Sequence, residues 1–244
     1  MVRAFVAGLA LALGGAVYAA EITVLSGGAI EPGLHAAAHA FEKQTRHTVK
    51  ITFNTTPLSL KRIAGGESFD VIILPPGAIK EIADKVEEGG VNVGRVGMGV
   101  LVRQNAPVPD ISNAEAIKRT VLEAESMTFN RASTGIYFEN LLKKMGVWEQ
   151  AEPKTTRYAD GASVMEHIIK GKGKEVGFAA ITEILLYKDK GVRFVGPLPA
   201  EIQNYTAYVA TPMKGGRNVE LAREFTRFLG GPAGKPLFVA AGIE

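Results

Sequence analysis

The sequence predicts an α/β fold built from two blocks, with the second inserted into the first. Strand, loop and helix alternate three times in the first ~70 residues after residue 20, with no hairpin signal, which argues for a mostly parallel sheet flanked by helices. Two long extended stretches, Val93 to Arg103 and Ile202 to Thr211, sit where the chain would cross between blocks. The segments between them repeat the alternation, and the terminal helices return to the first block.

A chain of 244 residues can bury a proper core as one large domain or two lobes. Its formal net charge is +3, without any basic run, which gives nucleic-acid binding no support. It has no cysteine, so disulfides, thiolate metal sites and cysteine nucleophiles are excluded. The N-terminus sets the expected compartment. Met1-Val2-Arg3 is a short positive region, Ala4 to Val17 is apolar, and Val17-Tyr18-Ala19 offers a cleavage site. Residues 1–19 therefore read as a cleavable signal peptide, and the mature protein as periplasmic.

Ile22 to Ser26 reads as a strand. Ser26-Gly27-Gly28-Ala29 follows as a loop, then a helix from about Ile30 to Gln44 with Pro32 in its first turn. Ile30, Leu34, Ala37 and Phe41 share its apolar face. His35 and His39 lie opposite. Their spacing could hold a metal, but no third ligand is near, and a solvated face is the expectation. Val49 to Phe53 is the next strand. Thr56 is the expected N-cap of the following helix and Pro57 its first residue. Phe69 to Leu74 is a nearly continuous apolar run, as in a strand covered on both faces. A helix bearing Ile79, Ile82 and Val86 follows it.

After the first crossover, Ser112 is the expected cap of a helix through about Glu123. Ser126 to Phe129 is a strand, then a polar loop leads into a helix ending at Gly146. Ser133 or Thr134 can cap that helix, and its start offers N–H groups and partial positive charge to an anion. Thr155 to Tyr158 and Glu175 to Ala180 are strands, each followed by a helix. Val192 to Val195 is a further strand. A helix from about Val219 to Leu229 and another around Lys235 to Ala241 close the chain. In such sheets the loops after the strands line the ligand crevice. Four histidines, His35, His39, His47 and His167, form no nucleophile arrangement, and no Gly-x-Ser-x-Gly occurs. No catalytic residue is assigned.

Ile22-Thr-Val-Leu-Ser-Gly-Gly-Ala-Ile, Phe53-Asn-Thr-Thr, Phe69-Asp-Val-Ile-Ile, Gly135-Ile-Tyr with Leu141-Leu-Lys-Lys-Met-Gly, and Gly196-Pro-Leu-Pro with Asn204-Tyr-Thr-Ala-Tyr follow one another along the chain. In that order and spacing the chain resembles the molybdate-binding proteins, periplasmic solute-binding proteins of ABC transporters. The resemblance implies a two-lobed type II periplasmic-binding-protein fold with two hinge crossovers, each lobe a mixed, mostly parallel sheet flanked by helices. Residues 20–98 and 206–244 would form lobe 1, and residues 99–205 lobe 2. It implies a monomer without cofactor or metal that carries a small anionic ligand to an ABC permease in the inner membrane. A sensor that reports to a membrane receptor is the alternative, and an enzyme a more distant one.

Residue by residue, Thr56 matches a ligand-binding serine of that family, and Thr134 and Gly161 fall on positions where backbone contacts the oxyanion. Ala29 stands where the family has a serine and Ala180 where it has a tyrosine. Two side-chain donors are thus missing, which marks a divergent branch, with a molybdate-like oxyanion or a small organic acid as ligand. Ser26, Gly28, Thr55 and Ser133 complete the candidate set. Ser26 and Gly28 can equally be turn residues, and Thr56 only a cap. Arg131 could pair with a carboxylate or phosphonate, or sit exposed on the rim. Tyr137 and Tyr205 are placed in the core rather than the cleft.

Overall fold

A computed structural model describes residues 19–244 of the protein. The expected signal peptide lies outside the described residues apart from Ala19. In chain order the elements are β1 (Glu21–Gly27), α1 (Glu31–Thr45), β2 (Thr48–Asn54), α2 (Thr56–Ala64), β3 (Val71–Leu74), α3 (Pro76–Glu81) and β4 (Val91–Arg103). Then come α4 (Ala114–Glu123), β5 (Ser126–Asn130), α5 (Ser133–Lys144), α6 (Trp148–Ala151), β6 (Thr155–Tyr158), α7 (Gly161–Lys170), β7 (Glu175–Ala180), α8 (Ile181–Leu186) and β8 (Val192–Pro197). β9 (Tyr205–Pro212), α9 (Val219–Gly230) and α10 (Lys235–Ala240) end the chain. A single 3-10 turn, Gly28–Ile30, joins β1 to α1.

The nine strands pair in the order β2-β1-β3-β9-β4-β7-β5-β6, with β8 on β4. β1 runs parallel to β2 and β3, and β5 parallel to β6 and β7. The pairings made by β4, β8 and β9 are antiparallel. The long strand β4 belongs to both halves of this sheet. Its first part, Val91 to Gly97, pairs with β9, and from Met98 onward it pairs with β7 and β8.

Period-2 alternation explains why helices cover both faces of each half. Val24, Val71 and Ile73 face one core with Leu34, Phe41, Phe225, Leu229 and Phe238. Leu25, Ile72 and Leu74 face the other with Ile63, Ala78 and Ile82. In the second half, Val100, Val102 and Phe129 pack with Ile117, Phe138 and Leu142, while Leu101 turns to Val164, Ile168 and Ile184. α9 and α10 therefore close over the first half, where Phe41 and Phe225 meet edge to face at 5.0 Å.

Several helix starts differ from expectation. Thr55, not Thr56, is the N-cap of α2, and Thr56 is its first helical residue. Asn113, not Ser112, caps α4, its Oδ1 accepting from Ala116 N at 2.9 Å. Neither Ser133 nor Thr134 caps α5. Both lie inside its first turn, behind Ala132.

Candidate functional site

The loops that leave the C-terminal ends of the parallel strands converge. Gly27 ends β1, Asn54 ends β2, Asn130 ends β5, Tyr158 ends β6 and Ala180 ends β7. Just beyond them opens a cleft of about 440 Å³, lined from the first half by Gly27–Ala29, Glu31 and Phe53–Thr56, and from the second by Asn130, Ala132–Thr134, Ala159–Ala162, Ala180, Glu183 and Tyr187. This is the location that the crevice rule for open α/β sheets assigns to a ligand.

Eight expected residues line it: Gly28, Ala29, Thr55, Thr56, Ser133, Thr134, Gly161 and Ala180. Ser26 and Arg131 do not. Ser26 is wholly buried in β1, and its hydroxyl donates to the Gly27 carbonyl at 3.1 Å. Arg131 follows Asn130 at the strand end. Alternation turns Asn130 inward and Arg131 out, so Arg131 is exposed while its backbone N–H donates to the Tyr158 carbonyl at 2.8 Å.

The α5 start, expected to offer free N–H groups, is filled from within only in part, at Gly135. Asn130 Oδ1 accepts from Ala132 N at 3.1 Å, from the Thr134 hydroxyl at 3.1 Å and from Gly135 N at 3.2 Å. A buried Asn oxygen at a helix start satisfies donors that would otherwise seek an anion. A Cβ on Gly135 would fall 1.8 Å from the Asn130 carbonyl oxygen, which is why this turn takes glycine. At α7, Asp160 serves as cap, its Oδ1 accepting from Ser163 N at 2.8 Å.

Among the lining residues that were not foreseen, two stand out. Tyr208, buried in β9, lays its ring over Gly27, where a Cβ would meet its Cε1 at 2.6 Å. An aromatic thus lines the cleft although position 180 is alanine. Strand alternation was the available signal, since Tyr205 and Tyr208 must face opposite sides. Tyr205 itself is 42% exposed, with the Arg95 guanidinium 4.3 Å from its ring, and is not the core residue expected. Tyr137 is partly buried against the second core, its hydroxyl donating to the Ile202 carbonyl at 2.8 Å.

The second is Glu183. It stands in the first turn of α8, and its carboxylate lies between the two loop sets. A Cβ on Gly28 would be 3.3 Å from its Oε1, and one on Gly161 would be 2.6 Å from its Oε2. The side chain keeps some surface toward the cleft, yet Oε2 is fully buried and has no hydrogen-bond partner. Burial, followed by the charges of Glu31 and Asp160, pushes its carboxyl up to about 7, against a backbone donor at Ala180 that lowers it. Burial, followed by the Glu183 charge, also raises the Tyr208 phenol well above its ordinary range. The neighbouring Thr182 hydroxyl donates to the Ala29 carbonyl and ties α8 to the β1 loop.

The charge balance of the cleft is therefore acidic. Glu31, Asp160 and Glu183 line it, and none of its described lining residues is Lys, Arg or His. Glu31 is 3.7 Å from the exposed His35, and Asp160 is held as a cap, which leaves Glu183 as the uncompensated group. Among the described residues, no group of three or more His, Cys, Asp or Glu could hold a metal ion, and no helix is long and apolar enough to cross a membrane.

The periplasmic molybdate-binding protein of Azotobacter vinelandii has the same fold, with a TM-score of 0.75 over 91% of this chain and 98% of that one at 18% identity. A periplasmic thiamin-binding protein matches with a TM-score of 0.69 over 91% and 81% at 14% identity. In sequence, the aconitate isomerase of a Pseudomonas species is 26% identical over 216 residues, covering 85% of this chain and 81% of its own. The chain has the two-lobed type II periplasmic-binding-protein fold of molybdate-binding-like proteins. The model of the bacterial extracellular solute-binding protein family matches residues 22–244, and the protein belongs to that family.

Proposed function

We infer that the protein captures a small solute in the cleft and delivers it, in the periplasm, to an ABC permease of the inner membrane. One observation carries this reading. Loops from both halves of the sheet, after β1 and β2 on one side and after β5 and β6 on the other, line a single cleft. A solute touching both sides at once favours the closed state by its differential contacts. The lobes of this reading are residues 20–98 with 206–244, and residues 99–205. The change of partner along β4 at Gly97 and Met98 supports that division. An acidic group of the solute is held by neutral donors, the hydroxyls of Thr55, Thr56 and Ser133 with the start of α2. The protein acts as a monomer without a cofactor.

The test is a thermal melt of the mature protein against oxyanions, carboxylic acids, zwitterions and cations. A specific solute at 100 times its Kd stabilises the protein by about 2.7 kcal/mol. A melt unmoved by every class would contradict the reading.

A second reading is an isomerase acting by proton transfer, as the relative's name suggests. Glu183 favours it, because a carboxyl near neutrality in a cleft suits a general base. The charge balance weighs against it. Aconitate, a tricarboxylate, would enter a cleft with three carboxylates and no basic side chain among its described lining residues. Proton NMR of cis- and trans-aconitate incubated with the protein in D₂O decides. Interconversion with deuterium uptake, lost in Glu183→Gln, would establish the enzyme; unchanged spectra favour the binding protein.

A further inference from the structure

We propose that Glu183 makes the cleft selective for an amphoteric solute, one that offers an ammonium or other cationic N–H group to the Glu183 carboxylate while its acidic group meets the hydroxyls of Thr55, Thr56 and Ser133. The inference rests on the solute-binding reading above and names the class of solute.

Geometry is the first ground. The Glu183 carboxylate lies against the backbone of both Gly28 and Gly161, at the junction of the two loop sets. A buried carboxylate oxygen with no partner is costly unless a donor reaches it. Oε2 has no partner within the protein, and the cleft beside it is where one would come from. The Thr182 hydroxyl is taken by Ala29, and the Ser163 hydroxyl by Asp160.

Charge is the second ground. The titratable groups facing Glu183 are Glu31 from α1, Asp160 from the α7 start, Tyr187 from α8 and Tyr208 from β9. All are acids, so a bare anion beside Glu183 meets repulsion with no Lys, Arg or His among the described lining residues to offset it. A cationic group meets attraction instead, and Phe53, Tyr187 and Tyr208 supply aromatic surface of the kind that receives cations. The same cleft also carries neutral donors. Thr55, Thr56 and Ser133 line it with their hydroxyls, and α2 begins at Thr56. The lining thus asks for opposite groups on one molecule.

The experiment is calorimetric titration at pH 8 of the mature protein and of Glu183→Gln and Thr56→Ala. The solutes are zwitterions (glycine betaine, γ-aminobutyrate, taurine and the amino acids), bare anions (molybdate, sulfate, butyrate) and a bare cation (choline). Melting curves confirm that each variant folds. The best ligand of the wild type is expected to be a zwitterion. Glu183→Gln should weaken it at least ten-fold and improve binding of its deaminated counterpart, while Thr56→Ala weakens the zwitterion and leaves the charge preference in place. A bare anion as best ligand, with equal affinity in Glu183→Gln, would overturn the proposal. So would an anion whose affinity for the wild type appears only as pH falls from 8 to 6, since Glu183 would then act as a protonated donor. Choline binding as tightly as any zwitterion would remove the acidic end. Binding by no solute of any class would overturn the solute-binding reading and this inference with it.

Discussion

Ionising Glu183 in the folded protein is harder than in the unfolded chain, because its carboxyl is pushed up to about 7 from an ordinary 4.5. Between those two values the unfolded chain has released its proton while the folded protein still holds it. Stability from this group is therefore whole below pH 4.5, falls as pH rises, and is lost above pH 7. Replacing Glu183 with Gln removes that dependence. The stability of the variant relative to wild type should grow by roughly 2–3 kcal/mol from pH 4 to pH 8, read from urea unfolding at each pH. Parallel pH curves for the two proteins would refute the account of this residue. A second residue-scale prediction concerns Gly135. The Asn130 carbonyl would lie 1.8 Å from a Cβ there, and backbone cannot give way as a side chain can. Gly135→Ala should destabilise by on the order of 1–3 kcal/mol, visible in the same unfolding curves. At this scale the sequence was least legible. Thr55, Thr56 and Ser133 could be found from their place after strands, but Glu183 could not. Its importance comes from Gly28 and Gly161, far away in sequence, closing around it.

Helices here are placed by strand ends as much as by their own residues. The start of α5 shows how. A hydroxyl residue before a helix is a sound capping signal, and Ser133 and Thr134 offered two. Asn130, at the end of β5, reaches the same donors first because the tight turn brings its side chain back over the helix start. Asn130→Ala should cost about 1–3 kcal/mol, since it strands the buried Thr134 hydroxyl and the Gly135 N–H. Asn130→Asp keeps an acceptor at a helix N-terminus and should recover most of that loss. Equal losses in both variants, measured by urea unfolding, would show that the cap is not the source. The strands themselves were readable because apolar alternation and continuous runs such as Val71 to Leu74 report burial directly. Helix boundaries slipped by a residue or two where several polar residues adjoin, as at Thr55 and Thr56 or Ser112 and Asn113. Each of these can cap, and tertiary packing chooses among them.

The whole molecule is organised by one strand that changes partners. β4 binds β9 up to Gly97 and then β7 and β8, so the two core sets share a backbone but few side chains. The order of elements along the chain already announced this, through two long extended stretches with a block inserted between them. What it could not announce was the sign of charge in the cleft, because Glu31, Asp160 and Glu183 come from three separate segments. In the proposed function a small solute bridges both halves and closes the clamp. Hydrogen–deuterium exchange of the mature protein, with and without the solute that raises its melting temperature most, should then show slowed exchange in segments 27–31 and 53–58 of one half together with 130–134 and 159–162 of the other. Protection confined to one half, or falling outside these loops, would contradict it.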